Sequence, residues 1–307
     1  MTIPTTPMPP APVLLDGGMG RELRFRGVEI LSTIWSAHAL IVAPEVVREV
    51  HRDYIDAGAD VITTNTYGII RQELAKEGIE DQFRAMNEQA CRLAMDARDA
   101  ADRPVWIAGS LPPLNGSYRA DLVLDRAIIE PLYREQAAIL APHVDLLLCE
   151  TMSSIAEGVA AAAGACAAGK PVWVSFTLSE DRSGRLRSGE TIAAAAAALE
   201  AEGLPVAGIL ANCCAPESIT AAMPALLATG KPYVGGYANT FAPVPETWTL
   251  DAEDPDARVL ALREDLDPEE YLAQARQWWE AGATVVGGCC GTRPAHIAAI
   301  AAAWVRG

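Results

Sequence analysis

At 307 residues, half of them hydrophobic, the chain is long enough for two ordinary domains or one large α/β barrel with a substantial core. Its 24 basic against 40 acidic residues leave a formal charge of −16, which argues against sequence-independent binding to nucleic acid or an anionic lipid surface, since both require a cationic face. No apolar run reaches the roughly 18 residues of a membrane span, and the N-terminal segment lacks the basic start and apolar stretch of a signal peptide, so a soluble, cytoplasmic protein is expected.

Residues 1–12 are rich in Pro and Thr and read as a disordered lead-in. Eight short apolar, β-branched runs follow, at 13–15, 61–64, 105–108, 144–149, 172–177, 206–211, 233–237 and 284–287. Several are continuous rather than alternating, the pattern of strands buried on both faces. The segments between them read as helices. Pro44-Glu45 opens one that runs through Val46, Val47, Val50 and Tyr54 and stops at Gly58, and Asp267-Pro268-Glu269-Glu270 opens another that Gly282 closes. Both end in an Ala-Gly-Ala step before a strand. Eight β-then-α units predict a single (β/α)8 barrel over residues 13–307, with no linker to divide it.

A barrel of this kind carries its chemistry at the C-terminal ends of its strands. Those ends are Asp16-Gly17-Gly18, Thr63-Thr64-Asn65-Thr66, Gly109-Ser110, Cys149-Glu150-Thr151, Asn212-Cys213-Cys214 and Gly287-Gly288-Cys289-Cys290-Gly291. Both vicinal cysteine pairs therefore fall at the rim, on strands six and eight. Seven cysteines in a chain without a secretion signal favour metal or thiol chemistry over a disulfide framework. Cys91, Cys149 and Cys166 stand alone and read as small buried hydrophobes.

Cys289, Cys290 and one of Cys213 or Cys214 can offer three thiolates to a Zn2+ ion and leave its fourth position for substrate. Such a centre is net negative, a poor activator of water and a better holder of another sulfur as thiolate. A substrate thiol with a pKa near 8.5 would be deprotonated there without a dedicated base. The plainer reading of the pairs is that they are core cysteines or an incidental disulfide. A nucleotide-binding reading of Gly18-Met19-Gly20-Arg21-Glu22-Leu23 fails, because the third glycine is missing and Asp16 would repel a pyrophosphate. The four histidines show no metal-ligand spacing, and His51 reads as a helix-surface or packing residue.

Several segments resemble the homocysteine S-methyltransferase family over nearly the whole chain: Leu15-Asp16-Gly17-Gly18-Met19-Gly20-Arg21-Glu22-Leu23, Trp35-Ser36-Ala37, Thr63-Thr64-Asn65-Thr66-Tyr67, Glu150-Thr151-Met152, Asn212-Cys213 and Gly287-Gly288-Cys289-Cys290-Gly291-Thr292. The resemblance implies the barrel, a zinc ion and L-homocysteine as methyl acceptor, with methionine as product. By motif it makes Cys213, Cys289 and Cys290 the zinc ligands, with Cys213 chosen because it follows Asn212. It places Asp16, Gly17, Thr64 and Glu150 around the amino acid moiety of homocysteine. A carboxylate such as Glu150 suits the substrate ammonium, and the N–H of Gly17 its carboxylate. The plainer readings are a helix cap for Asp16 and an ordinary strand residue for Thr64.

The methyl donor is expected to be a small sulfonium, S-methylmethionine first and S-adenosylmethionine second, with betaine-type donors as a further alternative. After strand eight the chain has room only for the helix over 295–305, not for folate or cobalamin domains or the extension of betaine-using relatives. Trp35, Tyr67, Tyr118 and Trp248 are candidates to face the donor's cation, whereas Trp106 and Trp173 read as packing. The loop 111–118 is shorter than in many S-methylmethionine-type members, and 237–242 departs from their usual form; both lie where the donor would dock. From a different class, a thiolate-rich zinc-binding or redox-sensing protein would share the cysteines but lack transfer activity. Small molecules are the expected partners, and the sequence does not set an oligomeric state.

Overall fold

A computed structural model describes residues 8–30, 33–245, 247–249 and 259–304. Eight parallel strands form one sheet: β1 (Val13–Leu14), β2 (Val61–Thr63), β3 (Trp106–Leu111), β4 (Leu146–Met152), β5 (Val172–Phe176), β6 (Val206–Asn212), β7 (Tyr233–Ala238) and β8 (Val285–Gly288). Their order, β1-β8-β7-β6-β5-β4-β3-β2, is the chain order wrapped into a ring. The remaining seam, between β1 and β2, is closed by a parallel bridge of Leu15 to Val61 and by the Asp60 amide donating to the Leu14 carbonyl at 2.7 Å. With helices between successive strands, this is the expected (β/α)8 barrel.

Alternation along the strands accounts for their continuous apolar character. Val13, Leu15, Val61, Ala108, Leu146, Leu148, Trp173, Leu210 and Val285 pack together inside the barrel. Their neighbours Leu14, Ile62, Ile107, Leu147, Val174, Ile209 and Val286 face outward into the layer shared with the helices. Each strand is thus buried on both faces, leaving no position for a polar alternation. The helix Pro44–Asp56 presents Val47, Val50, His51, Tyr54 and Ile55 to this layer. Asp267 caps the helix Pro268–Ala281 by accepting from the amides of Glu269 and Glu270 at 2.9 and 3.0 Å, and Gly282 ends it at φ 117°.

Five strands run further than the sequence pattern suggested: β3 to Leu111, β4 to Met152, β6 to Asn212, β7 to Ala238 and β8 to Gly288. β4 continues through Glu150 and Thr151 to Met152 across a register shift, and β6 includes Asn212. The Asn212 side chain supplies bonds that the ladder loses there. Its Oδ1 accepts from the Thr151 amide at 2.8 Å and the Ser175 hydroxyl at 2.7 Å, and its Nδ2 donates to Thr151 Oγ1 at 2.9 Å. Of the N-terminal segment, residues 1–7 lie outside the described residues, while Pro9 is buried and its carbonyl accepts from Tyr233 Oη at 2.8 Å. No helix among the described residues is long and apolar enough to cross a membrane.

Candidate metal and substrate site

The ends of β6 and β8, separated by β7, bring three cysteines together at the mouth. The sulfurs of Cys213, Cys289 and Cys290 lie within 4.8 Å of one another, with Cys213 Sγ 3.7 Å from Cys290 Sγ. Local backbone makes this possible. Cys213 sits at φ 51°, a left-handed conformation that costs a non-glycine residue about 1–2 kcal/mol. It allows Asn212 and Cys213 both to serve the mouth, while Cys214 is fully buried in the layer beneath the helices. On the other side, Gly17 and Gly18 let the end of β1 press against the cysteine segment. A Cβ on Gly18 would stand 2.6 Å from the Cys289 carbonyl oxygen, and one on Gly17 2.8 Å from both Thr292 Oγ1 and the Tyr54 ring.

All seven cysteines are free thiols. Cys91 and Cys149 are fully buried as expected, and Cys166 is half-buried. Among the rim sulfurs, burial pushes Cys213 up, but hydrogen bonds with Cys289, Cys290 and Tyr118 outweigh it and carry the thiol well below its ordinary value. Cys289 and Cys290 are held well above theirs, first by proton sharing with Cys213 and further by burial. Three sulfurs this close repel one another as thiolates, so a cation among them is what permits all three to ionise. Soft thiolate donors with an open side suit zinc among the common metals.

Asp16, Thr64 and Glu150 line the same cavity, which holds about 910 Å³ of empty space and opens to solvent. Asp16 does not cap the following helix, whose first cap position is Gly18. Instead its two oxygens accept from the amide and hydroxyl of Thr63 at 2.7 and 3.0 Å, stitching the β1–β2 seam at its upper end. Burial pushes the Asp16 carboxyl up to about 8, with the charge of Glu150 adding to it and the Thr63 bonds opposing. Glu150 accepts from Ser110 Oγ at 2.5 Å and from Tyr237 Oη at 3.2 Å. Its carboxyl rises to about 7, chiefly through burial and in part through the Cys213 charge. Two buried carboxyl groups with lifted proton affinities make a receptor for an ammonium, whose charge favours the ionised form of both.

Thr64 is a limited contact. Thr66 donates to the Ser110 carbonyl at 2.7 Å, so the Thr64 hydroxyl donates to Thr66 at 2.8 Å while accepting from the Ser110 amide at 3.1 Å. A remaining lone pair can accept from an ammonium, but the hydroxyl has no proton left to give. Gly17 lies at the cavity wall and no group among the described residues accepts from its N–H.

Ser110 and Thr63, at strand ends and without an expected role, and Tyr237, at the end of the predicted strand 233–237, hold the two carboxylates. Strand register is the signal that finds Ser110, which pairs with Leu148 on β4, two residues before Glu150. Trp35, Tyr67, Tyr118 and Trp248 all line the cavity. Trp106 and Trp173 pack in the barrel interior. Tyr118 donates to or accepts from Cys213 Sγ at 3.0 Å and stacks obliquely on Trp248 at 5.6 Å. Trp248 belongs to the chain between β7 and the helix Pro268–Ala281. Its described parts form an antiparallel arm in which Ala242 donates to Ala261 and Arg263 to Thr240. This arm brings Phe241, Val244 and Leu260 against Tyr118 and the cysteines.

Fold and rim together define a barrel enzyme whose mouth can hold a soft cation beside an amino acid. Residues 13–304 match the family model for homocysteine S-methyltransferase, and the chain belongs to that family of methyltransferases. It is 34% identical over 309 residues to homocysteine S-methyltransferase from Escherichia coli K12, covering 94% of each chain. It is 30% identical over 315 residues to homocysteine S-methyltransferase YbgG from Bacillus subtilis 168, covering 96% of this chain and 94% of the relative. The crystal structure of the E. coli homocysteine methyltransferase MmuM, metallated form, superposes with a TM-score of 0.79 at 31% identity, over 95% of this chain and 96% of that one.

Proposed function

We propose that this protein transfers a methyl group from a sulfonium donor, S-methylmethionine in the first place, to the thiol of L-homocysteine, giving methionine, with Zn2+ held by Cys213, Cys289 and Cys290. The observation that carries this reading is the convergence of three thiols with Asp16 and Glu150 in one cavity. The solved relative whose title describes a metallated form supports a metal among the cysteines. Zinc bound there supplies a Lewis acid that keeps a substrate sulfur ionised near neutral pH.

The chain's own residues provide the rest. Asp16 and Glu150 hold the homocysteine ammonium, with Thr64 as an additional acceptor and the Gly17 N–H directed to the carboxylate. Ser110, Tyr237 and Thr63 keep the two carboxylates from turning toward solvent. Tyr118, Phe241 and Trp248 wall off the cavity and exclude water from the path between donor and acceptor. Aromatic faces attract a sulfonium without offering it a nucleophile, which favours a cationic donor over a neutral one. The displacement then needs alignment rather than activation of the leaving thioether, and the acceptor's thiol proton is released to solvent. Free thiols at the mouth suit a small-molecule enzyme of a reducing compartment such as the cytoplasm. Methionine formation from L-homocysteine and S-methylmethionine by the zinc-loaded, reduced protein tests the reading. Product with S-adenosylmethionine or glycine betaine alone would keep the acceptor and replace the donor.

A further inference from the structure

Three charged residues are among the described residues lining the cavity: Asp16, Glu150 and Arg21. The two acids have partners that hold them in place. Among the described residues no carboxylate pairs with Arg21. It stands on the short helix Met19–Phe25, with Nη2 donating to the Leu260 carbonyl and its guanidinium 5.3 Å from the centre of the Phe241 ring. Its Nε is buried and has no hydrogen-bond partner. Burial first, and then the like charge of Arg24, weigh against its protonated form. Other arginines around the mouth are neutralised: Arg187 pairs with Glu180 at 2.7 Å and Arg263 with Glu217 at 2.9 Å. A partly desolvated guanidinium with a buried N–H left unpaired is costly unless an anion meets it.

We propose that Arg21 anchors a carboxylate of the methyl donor, so that the donors this enzyme accepts are zwitterions carrying both an onium methyl and a carboxylate. The inference rests on the reading of the mouth as a methyl-transfer site. Its position assigns it to the donor rather than to homocysteine. Arg21 is held by Leu260 and Phe241, residues of the arm that also carries Trp248 and packs on Tyr118. The aromatic wall for an onium group and the single lining cation among the described residues thus lie on the same side, while Asp16 and Glu150 serve the ammonium of the acceptor. Arginine suits the task because its fork matches a carboxylate in a bidentate pair.

The test compares S-methylmethionine with its carboxamide, which keeps the sulfonium and loses the anion. Calorimetric titration of the zinc-loaded wild type is expected to show the acid binding at least about tenfold more tightly than the amide, the size of a charge-assisted pair. In Arg21→Gln that preference should vanish, and in Arg21→Lys it should be partly restored. The KM for L-homocysteine should be unchanged in both variants, which also reports that the cavity is intact. Equal wild-type binding of acid and amide would overturn the proposal, as would a preference that survives in Arg21→Gln. A rise in the homocysteine KM instead of the donor constant would overturn it too, by placing Arg21 on the acceptor. Because the donor titrations need no turnover, their outcomes are separate from failure of the function, which would show as absence of methionine.

Discussion

Tyr118 Oη and Cys213 Sγ meet 3.0 Å apart at the barrel mouth, and both residues are held at positive φ, 67° and 51°. Trp35 and Thr151 share that conformation, so four of the five such non-glycine residues among the described ones cluster around the same cavity. Strained backbone persists where the surroundings over-determine it, and at Tyr118 it aims the hydroxyl at a sulfur.

Tyr118→Phe removes the hydroxyl and keeps the ring against Trp248. A hydrogen bond to a ligating sulfur orients it and spreads its charge, and losing such a partner costs about 10–100-fold in metal affinity. Competition with a chromophoric chelator should therefore show zinc held at least about tenfold more weakly, with the fold unchanged by circular dichroism. Unchanged affinity would mean the contact is packing alone.

The two members of the β6 pair should behave oppositely. Cys213→Ala should abolish stoichiometric zinc binding, whereas Cys214→Ala should retain it. Cys214 faces the layer beneath the helices, where burial pushes its thiol far up and keeps it protonated. Elemental analysis of the purified variants distinguishes them, and loss of zinc from Cys214→Ala would reverse the assignment.

Glu150→Gln should raise the KM for L-homocysteine by about 10–100-fold, in line with the ~1.5–3 kcal/mol of a hydrogen bond to a charged group. Ser110 and Tyr237 can remain near the amide, so zinc content should not change. Should the homocysteine KM stay at the wild-type value while zinc is lost, Glu150 would belong to the metal and not to the ammonium.

His51 gives a pH dependence remote from the cavity. It is fully buried, both ring nitrogens lack partners among the described residues, and burial lowers its pKa to about 4 from 6.5. Above pH 6.5 the folded and unfolded states are both neutral at this residue. As pH falls from there toward 4, the unfolded chain takes up a proton the native state refuses, and up to about 3 kcal/mol of stability is lost. Urea unfolding at pH 8 and pH 5 should show His51→Leu losing less stability than the wild type over that interval. Parallel losses would mean that His51 is not buried neutral.

The eight strands were legible because burial on both faces writes continuous apolar runs, and the helix ends at Gly58 and Gly282 because only glycine closes those turns cheaply. The cysteine trio was legible once the strand ends were placed. Less visible were features that depend on neighbouring strands. Asn212 reads as a motif marker, but its side chain ties β4, β5 and β6 together. Asp16 reads as a helix cap or substrate contact, yet its present partner is Thr63 across the seam. Left-handed Cys213 has no sequence signature, since nothing but packing selects it over glycine. Arg21 sits inside a recognised motif, and its lack of a carboxylate partner among the described residues appears only when the cavity is assembled.

The most direct test of the account is metal content and methyl transfer measured on the same reduced sample. Wild type is expected to bind zinc stoichiometrically and to form methionine from L-homocysteine and S-methylmethionine, while Cys290→Ala, folded by circular dichroism, does neither. A wild-type protein that binds no zinc and makes no methionine from any onium donor would contradict it.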